Sequence, residues 1–133
     1  MKNSNHAVVL CYNISSSKSA KLKAACIKMG IRVKDISPEQ FTLPLGHILG
    51  LAEYADATPT DEAPFQNEML VFYQFAGPQL DRLLPEIRKA GGVRLKAVVT
   101  PTNISWNACA LSHELMAERE AIAKNQQVHE PQA

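Results

Sequence analysis

The chain has 133 residues, 46% apolar and 20% charged, which suits one globular domain built round one core. No apolar run approaches the length of a membrane span. Three widely spaced cysteines, Cys11, Cys26 and Cys109, with no C-x-x-C, argue against a disulfide scaffold and a zinc site and fit a reducing cytoplasm. The net charge of +1 conceals a segregation: Met1 to Lys34 holds seven Lys/Arg and no Asp/Glu, whereas Asp35 to Asp81 holds eight Asp/Glu and no Lys/Arg. Such a chain can present a basic face and an acidic face.

The N-terminus MKNSNHAVVLCYN has one lysine and no small-residue cleavage site, so it reads as an unprocessed start rather than a secretory signal. Residues 7–12, AVVLCY, form a short β-branched apolar run, expected to be a buried strand. Residues 17–29 follow as a helix closed by Gly30. Residues 31–36, IRVKDI, alternate strictly and read as a second strand with one wetter face. Ser37-Pro38-Glu39 opens a short helix, and Pro44 suits the first position of another, with Leu45, Ile48, Leu49 and Ala52 as its stripe. Residues 53–67, acidic with two prolines, are expected to be a mobile loop inside a single domain spanning 1–133.

Met69 to Phe75, MLVFYQF, has the strongest strand character in the chain. Leu80, Leu83, Leu84 and Ile87 then mark a helix that Pro85 should bend or loosen. Leu95 to Val99 is a fourth strand. A last helix is expected from about Ile104 to Lys124, capped by Asn103 or Ser105, with 125–133 as a frayed tail. The order β-α-β-α-β-α-β-α predicts an α/β fold with a mainly parallel four-stranded sheet. The preferred strand order is 2-1-3-4, half of a flavodoxin-like sheet, with helices on both faces.

The stretch VVLCYNISSSKS imitates a phosphate-binding loop. Aligning Lys18-Ser19 with the end of G-x-x-x-x-G-K-[ST] puts Tyr12 and Ser17 where both glycines belong, and the backbone wrap those glycines allow is lost. His113-Glu114 likewise starts a zincin helix, but Ala117 stands where the second histidine belongs. No metal ligand set and no cofactor motif is found. Lys18, Lys21 and Lys28 fall within about a quarter of the helix circumference, but no aromatic residues interleave with them, so nucleic-acid binding is not expected.

The most distinctive stretch is KAVVTPTNISW, residues 96–106, followed by Leu111, Glu114-Leu115 and Glu118 of LSHELMAE. It resembles the bacterial proteins grouped as domain of unknown function 3783, and LDRLLPEIRKAGG before it resembles that family's third helix. The resemblance covers the second half of the chain well and the first half loosely. It implies a small α/β protein without an assigned activity and carries over no catalytic residue.

Open parallel sheets bind ligands beyond the carboxyl ends of their strands. That rule gathers Asn13, Ser15 and Ser17 after the first strand, Gly77 after the third, and Thr100, Thr102, Asn103 and Trp106 after the fourth, as one candidate ligand edge. No histidine or acid sits at any of these strand ends, so no general base is in view and no catalytic residue is assigned. The expectation is a noncatalytic cytoplasmic protein-interaction or regulatory module, partnered by itself as a homodimer or by another protein. The alternative is a small-molecule or anion-binding protein, enzymes included, using that edge.

Overall fold

The computed structural model describes residues 6–128, with side chains to Asn125. Four strands, β1 (Val8–Tyr12), β2 (Arg32–Ile36), β3 (Met69–Tyr73) and β4 (Leu95–Val98), lie in the order β2-β1-β3-β4. The two uninterrupted apolar runs are the two inner strands, buried on both faces: VVLCY throughout and MLVFY up to its last residue. The more polar RVKDI and LKAV are the edges. Both sequence patterns thus state position in the sheet as well as strand character.

Two of the three pairings are parallel, β1 with β2 and β3 with β4, as expected. The central pairing of β1 with β3 is antiparallel, with Leu10 opposite Val71. This departs from half of a flavodoxin-like sheet. A parallel pairing at the centre requires a crossover that re-enters the sheet from the starting end. Residues 37–68 instead carry a 3-10 turn at Pro38–Gln40, the one-turn helix α2 (Leu45–Ile48) and a second 3-10 turn at Ala52–Tyr54. They deliver the chain into β3 from the opposite end. The expected α2 stripe through Ala52 is cut at Leu49, whose successor Gly50 takes a φ of 80°. Gly46 serves a close approach, since any Cβ there would collide with the Tyr54 ring.

Helices α1 (Ser16–Lys28) and α3 (Gly77–Lys89) cover one face, setting Leu22, Cys26, Leu83 and Ile87 on Val9, Cys11, Leu70 and Phe72. The other face, Leu10, Tyr12, Met69, Val71 and Leu95 among it, packs under Phe41, Leu43, Leu45 and Ile48 and under α4 (Ala108–Val128). The 53–67 stretch has no strand. Phe65 ties it to the core by stacking on Phe41 at 4.8 Å, and Thr60 N–H donates to Thr42 Oγ1 at 2.8 Å. Helix α4 starts four residues later than expected and continues to Val128, so 125–128 are helical, while residues 129–133 of the expected frayed tail lie outside the described residues.

The antiparallel centre creates an internal pseudo-two-fold axis normal to the sheet. An offset of 61 residues (8 to 69, 16 to 77) carries β1 onto β3 and α1 onto α3, end for end. The only described non-glycine residues with positive φ obey it too, Asn13 at 60° and Gln74 at 61°, as do Gly30 and Gly91. The same offset pairs buried Leu22 with Leu83 and Cys26 with Ile87. The molecule's sheet and first helix layer are therefore two βαβ halves placed head to head.

Candidate functional site

The antiparallel centre separates the residues that the parallel-sheet rule gathers. Asn13, Ser15 and Ser17 follow the end of β1, next to Met69 at the start of β3. Gly77, Thr100, Thr102 and Asn103 follow β3 and β4, whose ends lie at the opposite end of the sheet beside Val8. The shared ligand edge is corrected on that geometry: the eight residues form two groups at opposite ends.

The side-chain bonds of Asn13, Thr100 and Asn103 all go to the backbone. Asn13, held in the left-handed region, donates from Nδ2 to Phe65 O at 2.9 Å and to Asn67 O at 3.0 Å, anchoring the acidic loop. Ser15 is the N-cap of α1 by backbone geometry but makes no side-chain cap bond, and Ser17 is exposed. Lys18, the P-loop-like lysine, points elsewhere: its Nζ donates to Glu68 Oε1 and to Gly92 O, each at 2.7 Å, strapping α1 to the α3–β4 turn.

At the other end, buried Asn103 accepts from Thr100 N–H through Oδ1 at 2.9 Å and donates from Nδ2 to Val98 O at 3.1 Å. Its own N–H donates to Thr100 Oγ1 at 3.0 Å. These bonds close a turn; the cap of α4 is Asn107, whose Oδ1 accepts from Ala110 N–H at 2.8 Å. Asn and Thr both satisfy turns by such side-chain bonds, which is why sequence alone placed the cap too early, at Asn103 or Ser105. Trp106 packs half-buried against the core, and its carbonyl accepts from Leu45 N–H at 2.8 Å. Thr102 is exposed.

The perturbed titratable groups of the interior are held neutral. Burial, then the nearby Asp35 carboxylate and Cys26, push the Cys11 thiol up to about 12 from its usual 9.0. Burial alone pushes Cys26 up to about 11. Burial and Glu62 raise Cys109, and burial raises Tyr12 above the ordinary phenol. Protonated thiols are poor nucleophiles and poor metal ligands. Among the described residues no three His, Cys, Asp or Glu side chains gather as a metal site.

What remains is surface relief. A groove of about 480 Å³ wraps the β2 edge between Ile27, Val33, Arg32 and Leu49. Two of its three cations are committed, Lys23 to Asp35 at 2.6 Å and Lys34 Nζ to Ile48 O at 2.8 Å, and charges on an edge strand oppose strand addition. A larger groove, about 690 Å³, runs between α1 and α3. Its floor is Ala24, Ala25, Met29 and Pro85; Lys21 and Lys28 stand on the α1 wall, Asp81, Arg82 and Glu86 on the α3 wall. Helix α3 passes through Pro85 without a break, and Pro85 has no N–H to give the Asp81 carbonyl. Lys21, Lys28, Asp81 and Arg82 have no ion pair among the described residues, and Glu86 meets only Lys89, at 3.4 Å. The lysine stripe was visible in the sequence, whereas the opposite wall was not, because only the fold brings α3 beside α1.

Residues 68–122 match the family described as a domain of unknown function, DUF3783. That stretch is β3, α3, β4 and most of α4, the half in which the sequence resemblance was closest. No curated protein and no solved structure matches the chain. Among the described residues no helix is long and apolar enough to cross a membrane.

Proposed function

We propose that this α/β domain is a noncatalytic protein-interaction module whose docking face is the α1/α3 groove and whose partner is a second copy of the chain. The observation that carries the reading is the charge division of the groove: cations alone on the α1 wall, two carboxylates on the α3 wall, over a floor of small and apolar side chains. Helix α1 runs antiparallel to α3, because each returns against its own strand and those strands are antiparallel. A two-fold axis along the groove lays α1 of each copy over α3 of the other. Lys21 and Lys28 then oppose Asp81 and Glu86 twice, once per half, as an isologous interface requires. Arg82 is the one cation against the pattern. The buried neutral thiols fit a noncatalytic role, since they offer no nucleophile near neutral pH.

Charge reversal tests this. Each exposed pair contributes about 0.2–1 kcal/mol, and symmetry doubles the effect of one substitution. Lys28→Glu should therefore weaken self-association by about tenfold, and Asp81→Lys by a similar factor. The double variant Lys28→Glu/Asp81→Lys should recover most of the loss. Sedimentation equilibrium reads all three. A wild-type chain that stays monomeric through the concentration series, or a double variant weaker than both singles, refutes the proposal.

A further inference from the structure

Away from that groove, three elements bring cations to the open side of β4. Arg88 stands in the last turn of α3, Arg94 and Lys96 at the start of β4, and Arg119 in α4. Two of the heads are tethered by main-chain acceptors: Lys96 Nζ donates to Val93 O at 2.8 Å, and Arg119 Nη1 to Arg94 O at 3.4 Å. Carbonyl tethers fix position without neutralising charge. None of the four cations has a carboxylate partner among the described residues.

The surface there is concave. Two adjoining depressions, about 410 and 220 Å³, share Arg94, Arg119 and Ile122. Met116 lines the larger and Lys96 the smaller, and α4 adds Glu120 and Glu118 to their respective walls. Those two carboxylates leave the field at Lys96 positive: burial first, then Arg119 and Arg88, draw its pKa below the ordinary lysine value.

The two depressions hold three cations, Arg94, Lys96 and Arg119, against Glu118 and Glu120, and a polyvalent anion relieves the repulsion among those cations. Guanidinium forks match phosphoryl oxygens in bidentate geometry, and an ammonium beside them adds a point charge. The apolar side chains of Met116 and Ile122 beside the cations suit a carbon body attached to the phosphoryl group. The larger depression has the size of a small-molecule site and shares Arg94, Arg119 and Ile122 with the smaller one, and no aromatic side chain lines either to stack nucleobases. We infer that the open side of β4, between Arg94, Lys96 and Arg119, binds a small phosphorylated molecule. The site lies at the start of β4, shares no residue with the candidate ligand edge read from sequence, and does not depend on self-association.

The test is a titration of the full chain with pyrophosphate at constant ionic strength, followed by amide and side-chain NMR. The expected result is saturable shifts at Arg94, Lys96 and Arg119, with affinity reduced about tenfold or more in Arg119→Gln and in Lys96→Gln. Arg32→Gln, on the far edge of the sheet, should bind as wild type does. Unliganded Lys96→Gln should melt no lower than wild type, because a repulsion is removed. Arg119→Gln lies on an exposed helical face, so it supplies the test even where Lys96→Gln folds poorly. Shifts that do not saturate, or an unchanged affinity in Arg119→Gln, overturn the inference. A single-stranded oligonucleotide that binds these residues more tightly than pyrophosphate overturns the ligand class.

Discussion

Raising the pH from 8 to 10 should destabilise this protein by a route that its core dictates. Cys11 and Cys26 are raised from 9.0 to about 12 and about 11, so both stay protonated in the folded chain across that interval. In the unfolded chain both ionise at their ordinary values. The folded state then binds more protons, and the stability these groups contribute, whole below pH 9, is lost as the pH climbs. Each thiol costs about 1.4 kcal/mol over the interval, or about 2.7 kcal/mol together. Cys109 and Tyr12, also raised, act in the same direction. Lys96 acts oppositely, because its lowered pKa favours the folded state as pH rises. Against a total stability of about 5–15 kcal/mol this is a large loss. It should lower the urea midpoint by roughly 1–2 M under reducing conditions, followed by circular dichroism. Cys11→Ala changes the packing at every pH but removes one titrating group, so its slope against pH should fall by about half. A midpoint flat between pH 8 and 10, or a Cys11→Ala slope equal to that of wild type, refutes the argument.

Two further predictions concern polar groups in the core. Asn103→Ala removes two side-chain bonds and leaves Thr100 N–H and Val98 O without those partners, so it should cost about 2–3 kcal/mol by urea denaturation; a cost under about 0.5 kcal/mol contradicts the structural role given to the turn. Tyr12 is fully buried and its hydroxyl has no hydrogen-bond partner among the described residues, so Tyr12→Phe should leave stability unchanged or raise it by about 1 kcal/mol, and a loss of that size contradicts this account of the hydroxyl.

Local chemistry made most elements legible. The inner strands announced themselves as unbroken apolar runs and the outer ones by their polar positions, which is also why the order β2-β1-β3-β4 was within reach. The direction of β3 against β1 was not, because it depends on how residues 37–68 cross the other face. That crossing is decided by contacts distant in sequence: Leu45 N–H to Trp106 O, Ala108 N–H to Phe41 O, and Phe65 against Tyr12 and Phe41. One wrong direction was enough to split the candidate site, since every residue chosen depended on which end of the sheet its strand finished. The start of α4 failed for a local reason: Asn103, Ser105 and Asn107 are all cap-type residues, and only the folded turn shows that Asn107 accepts from the helix, at Ala110 N–H, while Asn103 bonds back to Thr100 and Val98.

A signal of the true arrangement was nevertheless present. At the 61-residue offset, Tyr12 meets Tyr73, Leu22 meets Leu83, Lys28 meets Lys89 and Gly30 meets Gly91. Most of these positions are ones where the fold constrains the residue: core leucines one turn from the next buried position, and the left-handed glycine after each helix. The halves differ where solvent is met. Helix α1 carries four lysines and no acid, whereas α3 mixes Asp81 and Glu86 with Arg82, Arg88 and Lys89. Repetition therefore builds the frame, and departure from it builds the surfaces. The α1/α3 groove exists because the two helices are related by the axis, and its walls differ in charge because the sequences are not. The β4 cluster takes this further: Arg94 and Lys96 have Val33 and Asp35 as their counterparts at the same offset, and Arg119 lies on α4, beyond the repeated unit. A chemistry specific to this chain is to be sought where the symmetry is broken, on the side of the molecule that β4 and α4 share.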